Sequence, residues 1–265
     1  MVQFPSEAGD PMEPLHCDAH GTYVAVELAG RRWKMCPACA AEAEQRRQAR
    51  EAEELQREKA ARAAADLERR LSVSGLVGRF ARATFDAYTA ELPAQAAALQ
   101  ACRQFAEAFN ADAGGGLWLI GPPGTGKTHL GSAIVSHVIH HHLRTASIHG
   151  VHQVMQMLRE SFGRKEGSGW SEPETTDELL HRLGTQPLLV LDEIGVSRDS
   201  EWQREQLFAI VDERYRLERP TVVISNLTVP ELKGVLGERV YDRLREGARV
   251  LPMSWPSHRG NGGGR

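Results

Sequence analysis

The sequence predicts an α/β fold, a mainly parallel sheet flanked by helices, preceded by a small cysteine-containing module and a linker helix. Three observations carry this. From about residue 72 onward, short apolar runs alternate with amphipathic stretches of helical length, the pattern of strands joined by covering helices. A glycine-rich loop, GPPGTGKTHL, follows the apolar run Leu117–Ile120. A second apolar run, LLVLDE, ends in two acids at Asp192 and Glu193.

The expected strands are Gly116–Ile120, Thr145–His149, Pro187–Asp192, Thr221–Ser225 and Arg249–Met253. Helices are expected around Leu99–Phe109, Lys127–Leu143, Val151–Phe162 and Ser200–Leu217, and from Val229 to about Glu246. Ahead of them, residues 41–71 contain no Gly or Pro and are dominated by Ala, Glu, Arg and Gln, a helical composition. Acid-before-base pairs recur four apart at Glu42/Arg46, Glu53/Arg57, Glu58/Arg62 and Asp66/Arg70. Each adds roughly 0.2–0.5 kcal/mol to a helix. The apolar stripe is thin (Leu55, Leu67, Leu71), which fits a solvated linker helix better than a coiled-coil seam. The organisation expected is therefore 1–40 as a small module, 41–71 as linker, 72–259 as the main domain, and the glycine-rich 260–265 as a flexible tail.

Composition excludes some classes. Hydrophobic residues at 41% and charged residues at 25% are ordinary for a soluble domain. A net charge of −3 gives no global attraction to nucleic acid, so any such contact needs a local basic patch. No apolar run is long enough to span a bilayer and no signal pattern opens the chain, so a cytoplasmic protein without membrane contact is expected.

The loop Gly121-Pro122-Pro123-Gly124-Thr125-Gly126-Lys127-Thr128-His129 matches the full Walker A pattern between a strand and a helix. Its glycines let backbone N–H groups close around phosphates, and the helix that follows presents its positive end to them. Lys127 is placed to reach the β- and γ-phosphates, and Thr128 to ligate Mg²⁺. Asp192 is expected to hold Mg²⁺ through water, with Glu193 orienting an attacking water. This paired acid favours ATP hydrolysis over phosphoryl transfer to a metabolite. Asn226, at the tip of TVVIS, either senses the γ-phosphate or caps the strand through an Asx turn. Arg239 and Arg243 share one helical face and read either as surface ion-pair partners or as arginine fingers for a neighbouring subunit.

Cys17-x-x-His20 and Cys36-x-x-Cys39 are paired-ligand knuckles separated by fifteen residues. With a β-prone hairpin between them they predict a closed tetrahedral Zn²⁺ site without catalysis. A forty-residue segment has too small a core to fold alone, which gives the metal a structural purpose. His16 is an alternative to His20, though with poorer spacing. Cys102, in ALQACRQF, is expected to be buried. The run His140-His141-His142 cannot chelate as a set, because adjacent helical residues point in different directions, and reads as a solvated helix end.

Together GPPGTGKTHL, LLVLDEIGVSRDS, the ISN ending at Asn226, LGERVYDRLR and SWPSHR make the chain similar to the AAA+ ATPases of the DnaC type, the bacterial and phage replicative helicase loaders. The resemblance runs from Arg69 to Arg259. It implies that Asn226 is sensor 1, that Arg243 is the arginine finger with Arg239 beside it, and that Arg259 is a sensor 2-like residue on a short tail without a helical lid domain. It also implies self-association, binding of a hexameric helicase of the DnaB type, and single-stranded DNA as a partner. Phe162 and Trp202, with Ser200 beside the latter, are the DNA-contact candidates against the alternative that both aromatics are core. Arg164, Lys165, Arg198 and Arg204 lie near enough in sequence to take phosphates. In the family the N-terminal region grips the helicase. Here Arg31, Arg32, Trp33 and Lys34 keep DNA open as a second partner for that module. Two rival functions share these features: a transposition helper of the IstB type, and a zinc-dependent adaptor whose ATP site is only a switch.

Overall fold

The computed structural model describes residues 14–28, 31–162, 174–195 and 201–258. It divides into two compact units, residues 1–65 and 66–265.

In the first unit, β1 (Leu15–Cys17) pairs antiparallel with β2 (Gly21–Tyr23), and β3 (Val26–Leu28) with β4 (Arg31–Trp33). Helix α1 (Pro37–Ser72) begins four residues earlier than composition indicated, so Cys39 lies within it. All four expected acid–base pairs form, at 3.0 Å (Glu42/Arg46), 3.9 Å (Glu53/Arg57), 3.7 Å (Glu58/Arg62) and 4.0 Å (Asp66/Arg70). No residue of α1 is buried, in keeping with a solvated helix.

In the second unit, β5 (Gly116–Ile120), β6 (Ala146–Gly150), β7 (Leu188–Asp192), β8 (Thr221–Ser225) and β9 (Ala248–Pro252) form one parallel sheet in the order β6-β7-β8-β5-β9. The sheet is covered on both sides, so its inner strands β5, β7 and β8 are buried along their whole length, and alternate residues supply two cores. Leu117, Leu119, Val190, Val222 and Ile224 face α2 (Pro93–Glu107) and α3 (Lys127–His141). Leu67 and Leu71, residues of the second unit at the end of α1, pack on that core as well. Trp118, Leu189, Leu191 and Val223 face α4 (Val151–Ser161), α5 (Thr176–Thr185), α6 (Glu201–Arg216), α7 (Val229–Leu236) and α8 (Glu238–Arg245). The Trp118 indole donates to the Leu244 carbonyl at 3.1 Å, which fixes α8 to the central strand. No α-helix follows β9 among the described residues.

Two helical expectations need correction. Helix α5 was not anticipated, although its start carries a reciprocal cap: Thr175 N donates to Glu178 Oε2 at 2.8 Å, and Glu178 N to Thr175 Oγ1 at 3.3 Å. Leu179 and Leu183, one turn apart, bury its inner face. The single helix expected from Val229 to Glu246 is two helices. Gly237 breaks it with φ +74°, a conformation that costs glycine little. Cys102 is fully buried, as expected, and burial pushes its thiol up to about 12. The histidine run does not converge: His140 Nδ1 lies 2.8 Å from the Ser136 carbonyl and His142 Nε2 lies 2.8 Å from that of Ala106.

Candidate functional site

The carboxyl ends of β5, β7 and β8 open on one cleft of about 290 Å³. Because β8 lies between β5 and β7, Asn226 stands between the Walker A loop and the acids that follow β7. Ligand sites in open parallel sheets belong at this edge. Gly124, Gly126, Lys127, Thr128, Asp192, Glu193 and Asn226 all line the cleft.

The loop is held from behind. Thr125 is buried, and its carbonyl accepts from the Trp255 indole at 3.0 Å and from the Tyr88 hydroxyl at 3.3 Å. Gly126 has φ +90°, and a Cβ there would come within 2.6 Å of the Tyr88 ring, so the position requires glycine twice over. His258 N donates to the Gly124 carbonyl at 3.0 Å, fixing the segment after β9 to the same loop. Lys127 Nζ donates to the carbonyls of Gly121 and Pro122 at 2.6 and 2.7 Å.

Thr128 Oγ1 donates to Asp192 Oδ2 at 2.9 Å, and Glu193 N donates to Asp192 Oδ1 at 2.7 Å. Burial raises the Asp192 carboxyl above its usual range, opposed by these two hydrogen bonds. Glu193 leaves the strand with φ +57°, an uncommon conformation for a non-glycine residue. It is exposed at the mouth of the cleft. The residues suit a magnesium nucleotide: a glycine loop shaped for phosphates, an ammonium, and a hydroxyl–carboxylate pair of hard oxygen ligands.

Arg243 and Arg239 do not line this cleft. Arg243 Nε donates to Asp212 Oδ1 at 2.9 Å, and its guanidinium lies 5.0 Å over Phe208. Arg239 is exposed one turn earlier on α8. Phe162, at the end of α4, is 74% exposed. Trp202 is half-buried against the second core, with the Arg159 guanidinium 5.3 Å over its ring. Ser200, Arg259, Arg164, Lys165 and Arg198 lie outside the described residues, as does the 260–265 tail.

Residues the motifs did not disclose also meet the cleft. Arg79 and Phe80 line it from a short 3-10 helix, Gly78–Arg82, with the guanidinium 4.8 Å over the phenyl ring. A phenylalanine and an arginine in VGRFAR carry no motif that would have marked them.

In the first unit, the ligand atoms of Cys17, His20, Cys36 and Cys39 lie within 4.8 Å of one another. Cys17 Sγ is 3.5 Å from Cys39 Sγ, and His20 Nδ1 is 3.3 Å from Cys39 Sγ and 3.8 Å from Cys17 Sγ. Tetrahedral zinc with Zn–S of about 2.3 Å and Zn–N of about 2.0 Å needs ligand separations of roughly 3.5–3.8 Å. The donor set fits zinc, and His20 rather than His16 belongs to it. A hydrogen bond with His20 lowers the Cys17 thiol to about 6, whereas its own bond with Cys17 raises Cys39 to about 11.

Residues 31–261 match the family described as IstB-like ATP binding protein. The chain belongs to this family. Within it, the chain is 34% identical to the replicative helicase loader DnaC of Escherichia coli K12 over 196 residues, 73% of this chain and 76% of that one. It is also 34% identical to the replicative helicase loader DnaC of Buchnera aphidicola from Acyrthosiphon pisum over 195 residues, again 73% and 76%. A crystal structure of the DnaC helicase loader superposes with a TM-score of 0.59 at 27% identity, covering 66% of this chain and 99% of that one. The five-stranded parallel sheet is thus of the AAA+ type, and ATP binding follows from membership of the IstB-like family. No helix among the described residues is long and apolar enough to cross a membrane.

Proposed function

We propose that the protein is an ATP-driven loader that binds a hexameric replicative helicase of the DnaB type and delivers it onto single-stranded DNA, hydrolysing ATP between its own copies. The observation that carries this is the division of the machinery. Lys127, Thr128, Asp192, Glu193 and Asn226 share one cleft, while Arg239 and Arg243 stand outside it on α8. A cleft that holds its own acids while the α8 arginines stand outside it reads as half of an active site, to be completed by the next subunit. The names of the 34%-identical relatives support helicase loading over the transposition-helper reading.

In this reading Thr128 and Asp192 hold Mg²⁺, which neutralises charge on the phosphates. Lys127 leaves the loop carbonyls for the β- and γ-phosphates. Glu193 orients the attacking water and Asn226 aligns it against the γ-phosphate, while Arg79 and Phe80 flank the nucleoside side. Arg243, with Arg239 beside it, meets the neighbour's γ-phosphate, and Arg259 acts from the tail. Phe162 and Trp202 stack DNA bases, and Ser200 contacts the strand beside Trp202. The zinc module at 1–40 contacts the helicase, the linker 41–71 connects it to the motor, and loading takes place in the cytoplasm.

The test is co-purification of the full chain with the host's replicative helicase, combined with ATP turnover measured with and without single-stranded DNA. Helicase binding together with DNA-responsive turnover is the expected result. Turnover without helicase binding overturns the loader reading. Helicase binding without turnover in any condition leaves an adaptor with an ATP switch.

A further inference from the structure

A polar contact in the first unit reaches the metal site from outside its four ligands. His20 Nε2 lies 2.9 Å from Glu42 Oε1, while its other ring nitrogen, Nδ1, faces the sulfurs of Cys39 and Cys17 at 3.3 and 3.8 Å. A neutral imidazole carries one N–H. A carboxylate accepts and cannot donate, so the proton belongs on Nε2 and the Nδ1 lone pair is left pointing at the thiols. Cys39 and Glu42 are three apart on α1 and therefore share a face. Cys36 stands just ahead of the helix, where its carbonyl accepts from Ala40 N at 2.9 Å. The second carboxylate oxygen of Glu42 holds Arg46 at 3.0 Å, one turn further on.

We propose that Glu42 is the positioning residue of the zinc site: it accepts the Nε2 proton of His20, commits that ring to bind metal through Nδ1, and makes the first turns of α1 part of the metal centre. This rests on the zinc reading of the four ligands. Two thiols at the start of α1, together with a carboxylate that orients the histidine from the β1–β2 turn, make metal uptake and the ordering of α1's beginning one event. Carboxylates that orient a ligating histidine contribute about 10- to 100-fold to metal affinity in other sites.

The experiment titrates the full-length apoprotein with Zn²⁺ against a chromophoric chelator, and with Co²⁺ followed by its absorption spectrum. Wild type is compared with Glu42→Ala, Glu42→Gln and Arg46→Ala. Glu42→Ala is expected to weaken zinc about 10- to 100-fold. Glu42→Gln, which keeps an acceptor oxygen without the charge, should fall between it and wild type. Arg46→Ala removes the other partner of Glu42 without touching His20 and should leave affinity unchanged. Amide exchange over residues 37–46 should slow on metal loading in wild type, and less so in Glu42→Ala. Wild-type affinity in Glu42→Ala overturns the proposal, as does an equal loss in Arg46→Ala, which would place the effect in the helix. A wild-type chain that takes up neither metal removes the zinc reading itself and the proposal with it.

Discussion

Thr128 and Asp192 are joined across 2.9 Å, a hydroxyl from the first turn of α3 and a carboxylate from the last position of β7. They are 64 residues apart in sequence and meet because β5 and β7 flank β8 in a parallel sheet. The pair presents two hard oxygen atoms to one point in the cleft, so the removal of either should be felt through magnesium first. Asp192→Asn is expected to weaken nucleotide binding at least about tenfold, or ~1.4 kcal/mol, when Mg²⁺ is present. Binding in excess EDTA should change little. Titration of a fluorescent ATP analogue under both conditions checks this, and an equal loss in both would mean that Asp192 supports the fold of the loop instead.

Trp255 and Tyr88 donate to one buried carbonyl, that of Thr125. Either donor alone satisfies the acceptor, so Trp255→Phe and Tyr88→Phe should each cost about 0.5–1.5 kcal/mol of stability. The double variant leaves a buried carbonyl unpartnered and should cost more than the sum of the two. Urea unfolding of the four proteins measures the coupling. Strict additivity would show that the two donors do not share the acceptor in solution.

The inner strands were legible because each is a short run with apolar residues on both faces, as a doubly covered sheet demands. Gly116–Ile120 and Thr221–Ser225 are where the pattern places them. The loop and the acids were legible because phosphate chemistry restricts those positions to a few residue types. Helix α5 was missed because it is short and lies in a polar stretch, marked in sequence only by the Thr175/Glu178 cap and the Leu179/Leu183 spacing. The supports of the loop left no mark at all. Tyr88 and Trp255 act on a backbone carbonyl, and a carbonyl has no sequence identity. The partner of Arg243 was equally hidden, since Asp212 comes from α6, 31 residues away.

Arg243 is held at Asp212, outside the cleft that contains Glu193. If finger and water-orienting acid serve the same nucleotide from different copies, Arg243→Ala and Glu193→Gln should each lower ATP turnover about 10³-fold. Mixed in equal amounts, the two inactive proteins should recover about a quarter of the wild-type rate, because that share of randomly formed interfaces pairs an intact acid with an intact arginine. Steady-state turnover of the mixture across protein concentrations checks it. No recovery at any concentration would count against a shared site.

His149 is expected to contribute to the acid sensitivity of the second unit. It lies near the carboxyl end of edge strand β6, its Nε2 is buried without a hydrogen-bond partner, and burial lowers its titration to about 4 from an ordinary value of 6.5. Above pH 6.5 the ring is neutral in both folded and unfolded chains and contributes nothing to the pH dependence. Between pH 6.5 and 4 the unfolded chain takes up a proton that the folded chain refuses, so stability falls as pH falls across that window. The loss amounts to about 2–3 kcal/mol by pH 4. His149→Gln removes the titrating group and should flatten this limb. Urea melts at pH 7.5 and 4.5 provide the comparison, with the difference between the two pH values smaller in the variant than in wild type. An unchanged difference would assign the acid sensitivity to another group.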